Sequence, residues 1–375
     1  MDGVLTPSIS SFDPRHRISV TRPRSSIGAS LVGAVLLVAA AGISDAQSQI
    51  QVGTFAGTGE AALADGNRQA GQLNRPHGLA ADSRGNVYVS DRGNHAIRVV
   101  AANGEIRTLA GSGKQGKADG VGAAASFNQP IAVAVDRAGN VYVADRDNHV
   151  VRLIDPSGKV TTIAGTGSAG FNEGSATTAQ FNQPYGVALS PDEKILYVAD
   201  YLNHAIRALD LPTKQVTTLA GNGKAGFANG KGNQAQFNQP YNVKVGANGR
   251  LYVPDQNNHS IRAVEPDGNV STIAGIAQSG MVNGRPADAR FNNPTGLIVG
   301  AGRSIYVADR NNHRIRVINS LGDVGTIAGD GTEGYQDGVG AAAKFNRPID
   351  IVVVPDGSFV VSEENNHRLR RLDLK

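Results

Sequence analysis

Six copies of one unit fill the chain after residue 47, and this repetition limits the possible folds more than any other feature. Each copy contains the tripeptide Asn-x-Pro, and successive copies are separated by 54 residues, with one interval of 56. The six copies begin at Asn74, Asn128, Asn182, Asn238, Asn292 and Asn346. A regular period of this length predicts a solenoid or a propeller.

Each unit has the pattern of four short strands. In the second unit these are Ile131–Val135, Val141–Ala144, His149–Ile154 and Lys159–Ala164, separated by turns that contain Gly, Pro or Asp. We call them strands a to d in chain order. Four strands per repeat are typical of a propeller blade. The predicted fold class is therefore all-β, a six-bladed β-propeller of four-stranded antiparallel blades.

The two ends of the repeat predict how the ring closes. The last unit has no strand d before Lys375, whereas Ile50–Gly57 has the sequence of a spare strand d. If the N-terminal strand completes the last blade, it supplies the missing strand d and is itself paired. No sheet edge is then left unpaired between the first and last units. We therefore predict closure by strand exchange.

The first 46 residues differ from the rest of the chain. Four arginines precede an apolar run, Ile27–Ile43, and the small-x-small sequence Ser44-Asp45-Ala46 follows it. This order is that of a secretory signal peptide. We predict that residues 1–46 are a signal peptide cleaved before Gln47, that residues 47–375 form the propeller, and that the protein is secreted or periplasmic. The alternative is an uncleaved signal anchor that tethers the protein, although the 17 apolar residues fall short of the roughly 20 that a span needs.

The composition excludes several kinds of site. The chain contains no Cys, which rules out disulfides, cysteine nucleophiles and thiolate metal sites. The formal net charge of +4 comes from interspersed residues of both signs, a pattern that does not favour nucleic acid. We expect a monomer whose partner is a protein, a peptide or a glycan, with no nucleic acid and no membrane contact beyond the leader.

A longer motif within the repeat is family-specific. Tyr-Val-Ala-Asp-x-x-Asn-His, with Arg three residues later, occurs at Tyr142–Arg152 and Tyr306–Arg316, after Phe-Asn-x-Pro and before Thr-x-Ala-Gly. This arrangement resembles the NHL repeat, and the resemblance extends over residues 50–375. It implies a six-bladed propeller but no single activity, because propellers serve as enzymes and as binding modules.

The acid, His and Arg of this motif recur in every unit, and a carboxylate beside an imidazole suggests catalysis or metal binding. Six equivalent positions around a ring do not converge on one site, however. We therefore predict that the acid hydrogen-bonds the b–c loop and that His and Arg tie this loop to a neighbouring strand or blade. These structural residues are Asp91, His95, Arg98, Asp145, His149, Arg152, Asp200, His204, Arg207, Asp255, His259, Arg262, Asp309, His313, Arg316, Glu363, His367 and Arg370.

Residues that break the repeat are the better candidates for function. Strand a lines the central channel, and its first two positions after Asn-x-Pro vary among the units. Five of the polar residues at these positions, His77, Tyr185, Tyr241, Asn242 and Asp350, form the candidate ligand site at the channel mouth. The alternative interpretation is that they only plug the channel or hold water.

Two functions remain open from the sequence. The first is a binding or interaction scaffold that uses the channel mouth and the face formed by the long d–a loops. The second is a metal-assisted lyase or lactone hydrolase, as in propellers of the peptide-amidating lyase, streptogramin lyase and gluconolactonase types. His77, Asn242 and Asp350 would then hold calcium or zinc, although three converging His residues are not present. No catalytic residue is assigned.

Overall fold

The computed structural model describes residues 49–374, so the predicted leader, residues 1–46, lies outside the described residues. The described chain forms six antiparallel sheets, and its helical elements are short 3-10 turns. The innermost strands of successive sheets contact one another around a closed circle. The predicted all-β, six-bladed propeller is confirmed. Between residues 49 and 374, no helix has the length and apolar character needed to cross a membrane.

The blades follow one another in chain order, and the four strands of each blade run outward from strand a, next to the channel, to strand d. Blade 1 contains Pro76–Ala81, Val87–Asp91, Ala96–Val100 and Ile106–Ala110; blade 2 contains Pro130–Val135, Val141–Asp145, Val150–Ile154 and Lys159–Ala164. Blade 3 contains Pro184–Leu189, Ile195–Asp200, Ala205–Asp210 and Gln215–Ala220; blade 4 contains Lys244–Val245, Leu251–Asp255, Ser260–Val264 and Asn269–Ala274. Blade 5 contains Pro294–Val299, Ile305–Asp309, Arg314–Ile318 and Val324–Ala328; blade 6 contains Pro348–Val353, Phe359–Glu363, Arg368–Leu374 and Ile50–Ala56.

The N-terminal strand closes the ring, as predicted. Ile50–Ala56 pairs antiparallel with Arg368–Leu374, the strand c of blade 6. Its side chains Ile50, Val52 and Phe55 are buried, the first two among apolar residues of blades 5 and 6 and the third against blade 1. Burying these side chains adds the hydrophobic contribution of three large residues to the closure.

Four blades carry a fifth, two-residue strand that the sequence does not predict. Each comes from the long d–a loop, which folds back and pairs with strand d of the blade that follows it. The four short strands are Gly120–Val121, Gly174–Ser175, Gly230–Lys231 and Gly338–Val339. This pairing protects part of the outer sheet edge from contact with other chains.

The b–c loops differ slightly from the prediction. Strand c of blade 2 begins at Val150 rather than His149, because His149 has a left-handed backbone with φ of 54°. The same conformation occurs at the equivalent His of the other five blades. Holding a non-glycine residue there costs roughly 1–3 kcal/mol, so other contacts must compensate for it.

Candidate functional site

The repeated acid and arginine form a buried ion pair in each blade. In blade 2, Arg152 Nη1 donates to Asp145 Oδ2 at 2.8 Å, and both side chains are fully buried. The backbone N–H of Asn128 and the side chain of Asn148 donate to the same carboxylate, each at 2.7 Å. Arg152 also donates to two carbonyls of the long loop. Burial raises the pKa of Asp145 to about 6, so the carboxylate is ionised at neutral pH and paired with Arg152.

The repeated histidine links each blade to the next. His149 Nδ1 accepts the backbone N–H of Gln183 in blade 3 at 3.1 Å, and the same bond recurs around the ring. The last of these bonds joins His367 to Arg75 at 3.0 Å, between blades 6 and 1. The structure therefore gives each acid, His and Arg contacts within its own blade or at the next blade boundary, and it does not bring the six sets together.

The candidate residues directly after Asn-x-Pro meet across the channel. Tyr241 Oη donates to His77 Nε2 at 2.7 Å, and His77 Nδ1 donates to the carbonyl of Ile131 at 3.2 Å. Tyr185 contacts Tyr241 edge-on at 4.9 Å between ring centroids and stacks on Tyr201 at 4.0 Å. We call His77, Tyr185 and Tyr241 the aromatic layer.

Burial keeps His77 and Tyr241 of the aromatic layer uncharged at neutral pH. Burial lowers the pKa of His77 well below its usual value, and burial raises the pKa of Tyr241 well above its own. The hydrogen bonds agree with this state, because one nitrogen of a neutral imidazole donates while the other accepts. Together with two isoleucines, Ile131 and Ile349, the layer fills the channel.

Asn242 and Asp350, each in the second position after Asn-x-Pro, also meet, although Asn242 lies just before Lys244–Val245, the short strand a of blade 4. Asn242 Nδ2 donates to Asp350 Oδ1 at 3.2 Å, although the two residues belong to blades 4 and 6. The Asp350 carboxylate also accepts the backbone N–H groups of Leu79 and Ile351, both at 2.9 Å. A fourth donor, Lys244 Nζ, lies 3.2 Å from Asp350 Oδ2. All five candidate residues are thus brought together, in two layers that occupy the channel.

A divalent cation does not fit this arrangement. Asp350 already accepts from four donors, and both nitrogens of His77 form hydrogen bonds. In the part of the chain that the structure describes, no three His, Asp or Glu side chains are grouped so as to hold a metal ion. We therefore derive no chemical step through calcium or zinc.

A second ring of residues that break the repeat lies at the channel mouth, and our sequence analysis missed it. It consists of the residue directly after each repeated acid, at the start of the b–c loop. The six members are Arg92, Arg146, Tyr201, Gln256, Arg310 and Glu364, which we call the mouth ring. The signal is present in the sequence, because these six residues differ among units whose preceding acid and following Asn-His are repeated.

The charged members of the mouth ring centre on Glu364. Its carboxylate is only 2% exposed and accepts Arg92 Nη1 at 2.9 Å and Arg310 Nη2 at 2.8 Å, with Arg75 at 3.6 Å. Burial alone would raise the pKa of Glu364, but the guanidinium groups of Arg310 and Arg92 outweigh this effect and hold the pKa below its usual value. Glu364 therefore stays ionised and orients guanidinium groups from both neighbouring blades.

Arg146 occupies another part of the ring. Its Nη1 donates to Tyr185 Oη at 3.4 Å, and its other nitrogens donate to Asp147. The side chains of Arg92, Arg146 and Arg310 are 14–19% exposed, so all three reach solvent at the mouth. With Arg75 included, four guanidinium groups face two carboxylates, and the mouth carries an excess of positive charge.

Comparison with known proteins supports the architecture. The family model for the NHL repeat matches residues 73–100, 127–152, 291–318 and 345–372. The chain is 32% identical over 287 residues to Protein SUPPRESSOR OF QUENCHING 1, chloroplastic, of Arabidopsis thaliana, covering 72% of this chain and 27% of that protein. It is 30% identical over 333 residues to NHL repeat-containing protein 2 of Homo sapiens, covering 77% of this chain and 45% of that protein. The chain thus spans between a quarter and a half of the length of these relatives.

Solved structures with this fold include proteins of different kinds. An auxiliary nutrient binding protein from Bacteroides thetaiotaomicron matches with a TM-score of 0.67 and 17% identity, covering 86% of this chain and 76% of that one. Virginiamycin B lyase from Staphylococcus aureus matches with a TM-score of 0.52 and 12% identity, covering 87% and 100%. Similarity at this level shows the fold alone. The NHL repeats in blades 1, 2, 5 and 6 and the closed ring of six sheets identify the chain as an NHL-repeat protein with the six-bladed β-propeller fold.

Proposed function

We propose that this propeller is a binding scaffold whose channel mouth, on the face of the long loops, takes an anionic group of a peptide or glycan partner. The observation that carries the proposal is the mouth ring. The acid, His and Arg of the NHL motif are repeated in all six blades with almost no change. The mouth ring, in contrast, varies, and it places three partly exposed arginines from blades 1, 2 and 5 around one opening.

The chemistry of the mouth suits a carboxylate. Arginine presents a planar set of donors that pairs with both oxygens of such a group. Only Nη2 of the partly exposed Arg310 donates to Glu364, at 2.8 Å, so Glu364 does not use the whole guanidinium group. The stacked rings of Tyr185 and Tyr201 add a flat apolar surface beside these donors. Because the aromatic layer fills the channel below, we infer that a ligand rests on the mouth and does not thread through it.

A metal-assisted lyase or lactone hydrolase is the weaker candidate. Its support is the likeness of the fold to virginiamycin B lyase, which says nothing about activity at this level of identity. Such a site would use His77, Asn242 and Asp350. The polar atoms of these side chains already form hydrogen bonds with one another or with other groups of the protein. We therefore retain binding as the proposed function.

We also propose that the protein is exported as a monomer, with residues 1–46 as a cleaved leader. The support is the order of basic, apolar and small residues at the N-terminus. Partners of such a protein would be met outside the cytoplasm, where peptides and glycans with carboxylate groups are available.

Binding of a fluorescently labelled hexaglutamate peptide, followed by anisotropy, tests the proposal. We expect saturable binding that weakens as salt is added, and a loss of about five-fold in affinity for Arg146→Gln or Arg310→Gln, equivalent to about 1 kcal/mol for each partly exposed charge pair. Arg84→Gln is the matched control, because Arg84 is an exposed arginine in an a–b turn on the opposite face and pairs with Asp82. An equal loss in Arg84→Gln, or no saturable binding, would contradict the proposal.

A further inference from the structure

The end of the channel opposite the mouth holds a second concave site. It has a volume of about 390 Å³ and is formed by the last residues of the six strands a, where these lead into the a–b turns. This volume lies within the roughly 300–1,000 Å³ that small-molecule sites occupy. Fourteen of its fifteen lining residues are apolar, and the exception is Lys244.

Small side chains on one side of the channel make the room for this cavity. The position occupied by Lys244 in blade 4 is held by Ala in blades 1, 2 and 3, and by larger apolar residues in blades 5 and 6. The six equivalent residues are Ala80, Ala134, Ala188, Lys244, Ile298 and Val352. Lys244 therefore extends from blade 4 into space that the three alanines leave open.

Lys244 and Asp350 pair at the inner end of the cavity, and in the described part of the chain one N–H of Lys244 has no acceptor. The Lys244 ammonium donates to Asp350 Oδ2 at 3.2 Å and to the carbonyl of Leu79 at 3.4 Å. An ammonium group has three N–H bonds, and within residues 49–374 these two acceptors are its only partners. Asp350 compensates its charge and is itself satisfied by four donors. One N–H of Lys244, whose side chain is 20% exposed, thus remains for a ligand.

We propose that this cavity binds a small, neutral aliphatic molecule with one acceptor oxygen, such as an aliphatic ester or ketone. The oxygen accepts the free N–H of Lys244, and the alkyl chain packs against the apolar wall formed by residues such as Val133 and Val187. A carboxylate fits less well, because it brings a second negative charge close to Asp350 in apolar surroundings with one ammonium to share. The site is separate from the mouth, since the aromatic layer fills the channel between them.

Titration of methyl hexanoate into protein labelled with ¹³C in the Val and Leu methyl groups tests this site by NMR. We expect saturable shifts confined to methyls that line the cavity, including those of Leu79, Val133 and Val187. Ala134→Leu should fill the cavity and weaken binding at least about ten-fold, whereas the exposed Ala102→Leu should not change it. Lys244→Met keeps the length of the side chain but removes the donor, and we expect about five-fold weaker binding.

Several results would overturn the inference. Shifts that do not saturate, or that persist unchanged in Ala134→Leu, would place the ligand elsewhere. Heptanoate, a carboxylate of matched length, is expected to bind more weakly than the ester; equal or tighter binding would refute a neutral ligand. Arg310→Gln at the mouth should leave ester binding unchanged, and a change would show that the two sites are not separate. If Ala134→Leu fails to fold, Ala188→Leu supplies the same test from the next blade.

Discussion

Replacing the buried acid of the mouth ring should change stability and ligand affinity in opposite directions. In Glu364→Gln, Arg92 and Arg310 lose the carboxylate that they share, at 2.9 and 2.8 Å. The protein should therefore become less stable, because two buried charge-assisted contacts are lost. It should also bind hexaglutamate more tightly, because both guanidinium groups become available to the peptide.

The pKa of Glu364 gives the direction of the stability change, because it lies below the ordinary value of 4.5. Hydrogen bonds to a charged group contribute about 1.5–3 kcal/mol, so we expect the ionised carboxylate to contribute about 2 kcal/mol at neutral pH. The pKa in the folded protein is the lower one, so this contribution is complete above the unfolded value and is lost as the pH falls through the folded value. The stability difference between the two proteins should shrink from about 2 kcal/mol near pH 7 to below about 1 kcal/mol near pH 3.

Urea unfolding across this pH range measures the stability difference, and anisotropy measures hexaglutamate affinity for the same samples near neutral pH. We expect Glu364→Gln to bind the peptide about five-fold more tightly, a gain of about 1 kcal/mol. A stability difference that does not change with pH would refute the role assigned to the ionised carboxylate. An affinity that falls together with stability would refute the view that Glu364 competes with the ligand for the arginines.

The remaining predictions concern the stability of the propeller and the cleavage of the N-terminal leader. Arg152→Met leaves a buried carboxylate without its partner and should cost about 3–5 kcal/mol in urea unfolding; a loss below about 1 kcal/mol would contradict the buried ion pair. A side-chain carbon at Gly296 would overlap the side chain of Asp350 and lie 2.5 Å from its Cα, so Gly296→Ala should lower the melting temperature, whereas Gly53→Ala, with no atom within 4 Å of the added carbon, should not. N-terminal sequencing of the exported protein should begin at Gln47, and an intact leader would contradict cleavage.

The repeat made most of the fold predictable. Equivalent positions recur every 54 residues in four of the five intervals, so one reading of strands a to d applied to all the blades, and the spare strand at Ile50 indicated the closure. Two details of the structure could not be predicted from the repeat pattern. The outer strand Gly120–Val121 is only two residues long, and the left-handed backbone of His149 accompanies a hydrogen bond to the next blade, which is distant in sequence.

The candidate site was predictable in part. Comparison of strand a among the repeats selected Tyr241 and Asp350, and the structure brings both into contact with other selected residues. The sequence did not show which selected residues pair with each other, because the contacts Tyr241–His77 and Asn242–Asp350 cross the channel between different blades. Glu364 and Arg92, for example, are 272 residues apart in sequence and meet only where the closed ring joins blades 6 and 1.

Hydrogen–deuterium exchange with and without saturating hexaglutamate tests the central claim most directly, because it shows which face of the propeller holds the anionic ligand. We predict slower exchange in the b–c loops that carry the arginines of the mouth ring, residues 92–94, 146–148 and 310–312. The a–b turns on the opposite face, such as residues 82–86, should exchange at an unchanged rate. Protection of the a–b turns, or of neither set of loops, would contradict binding at the mouth.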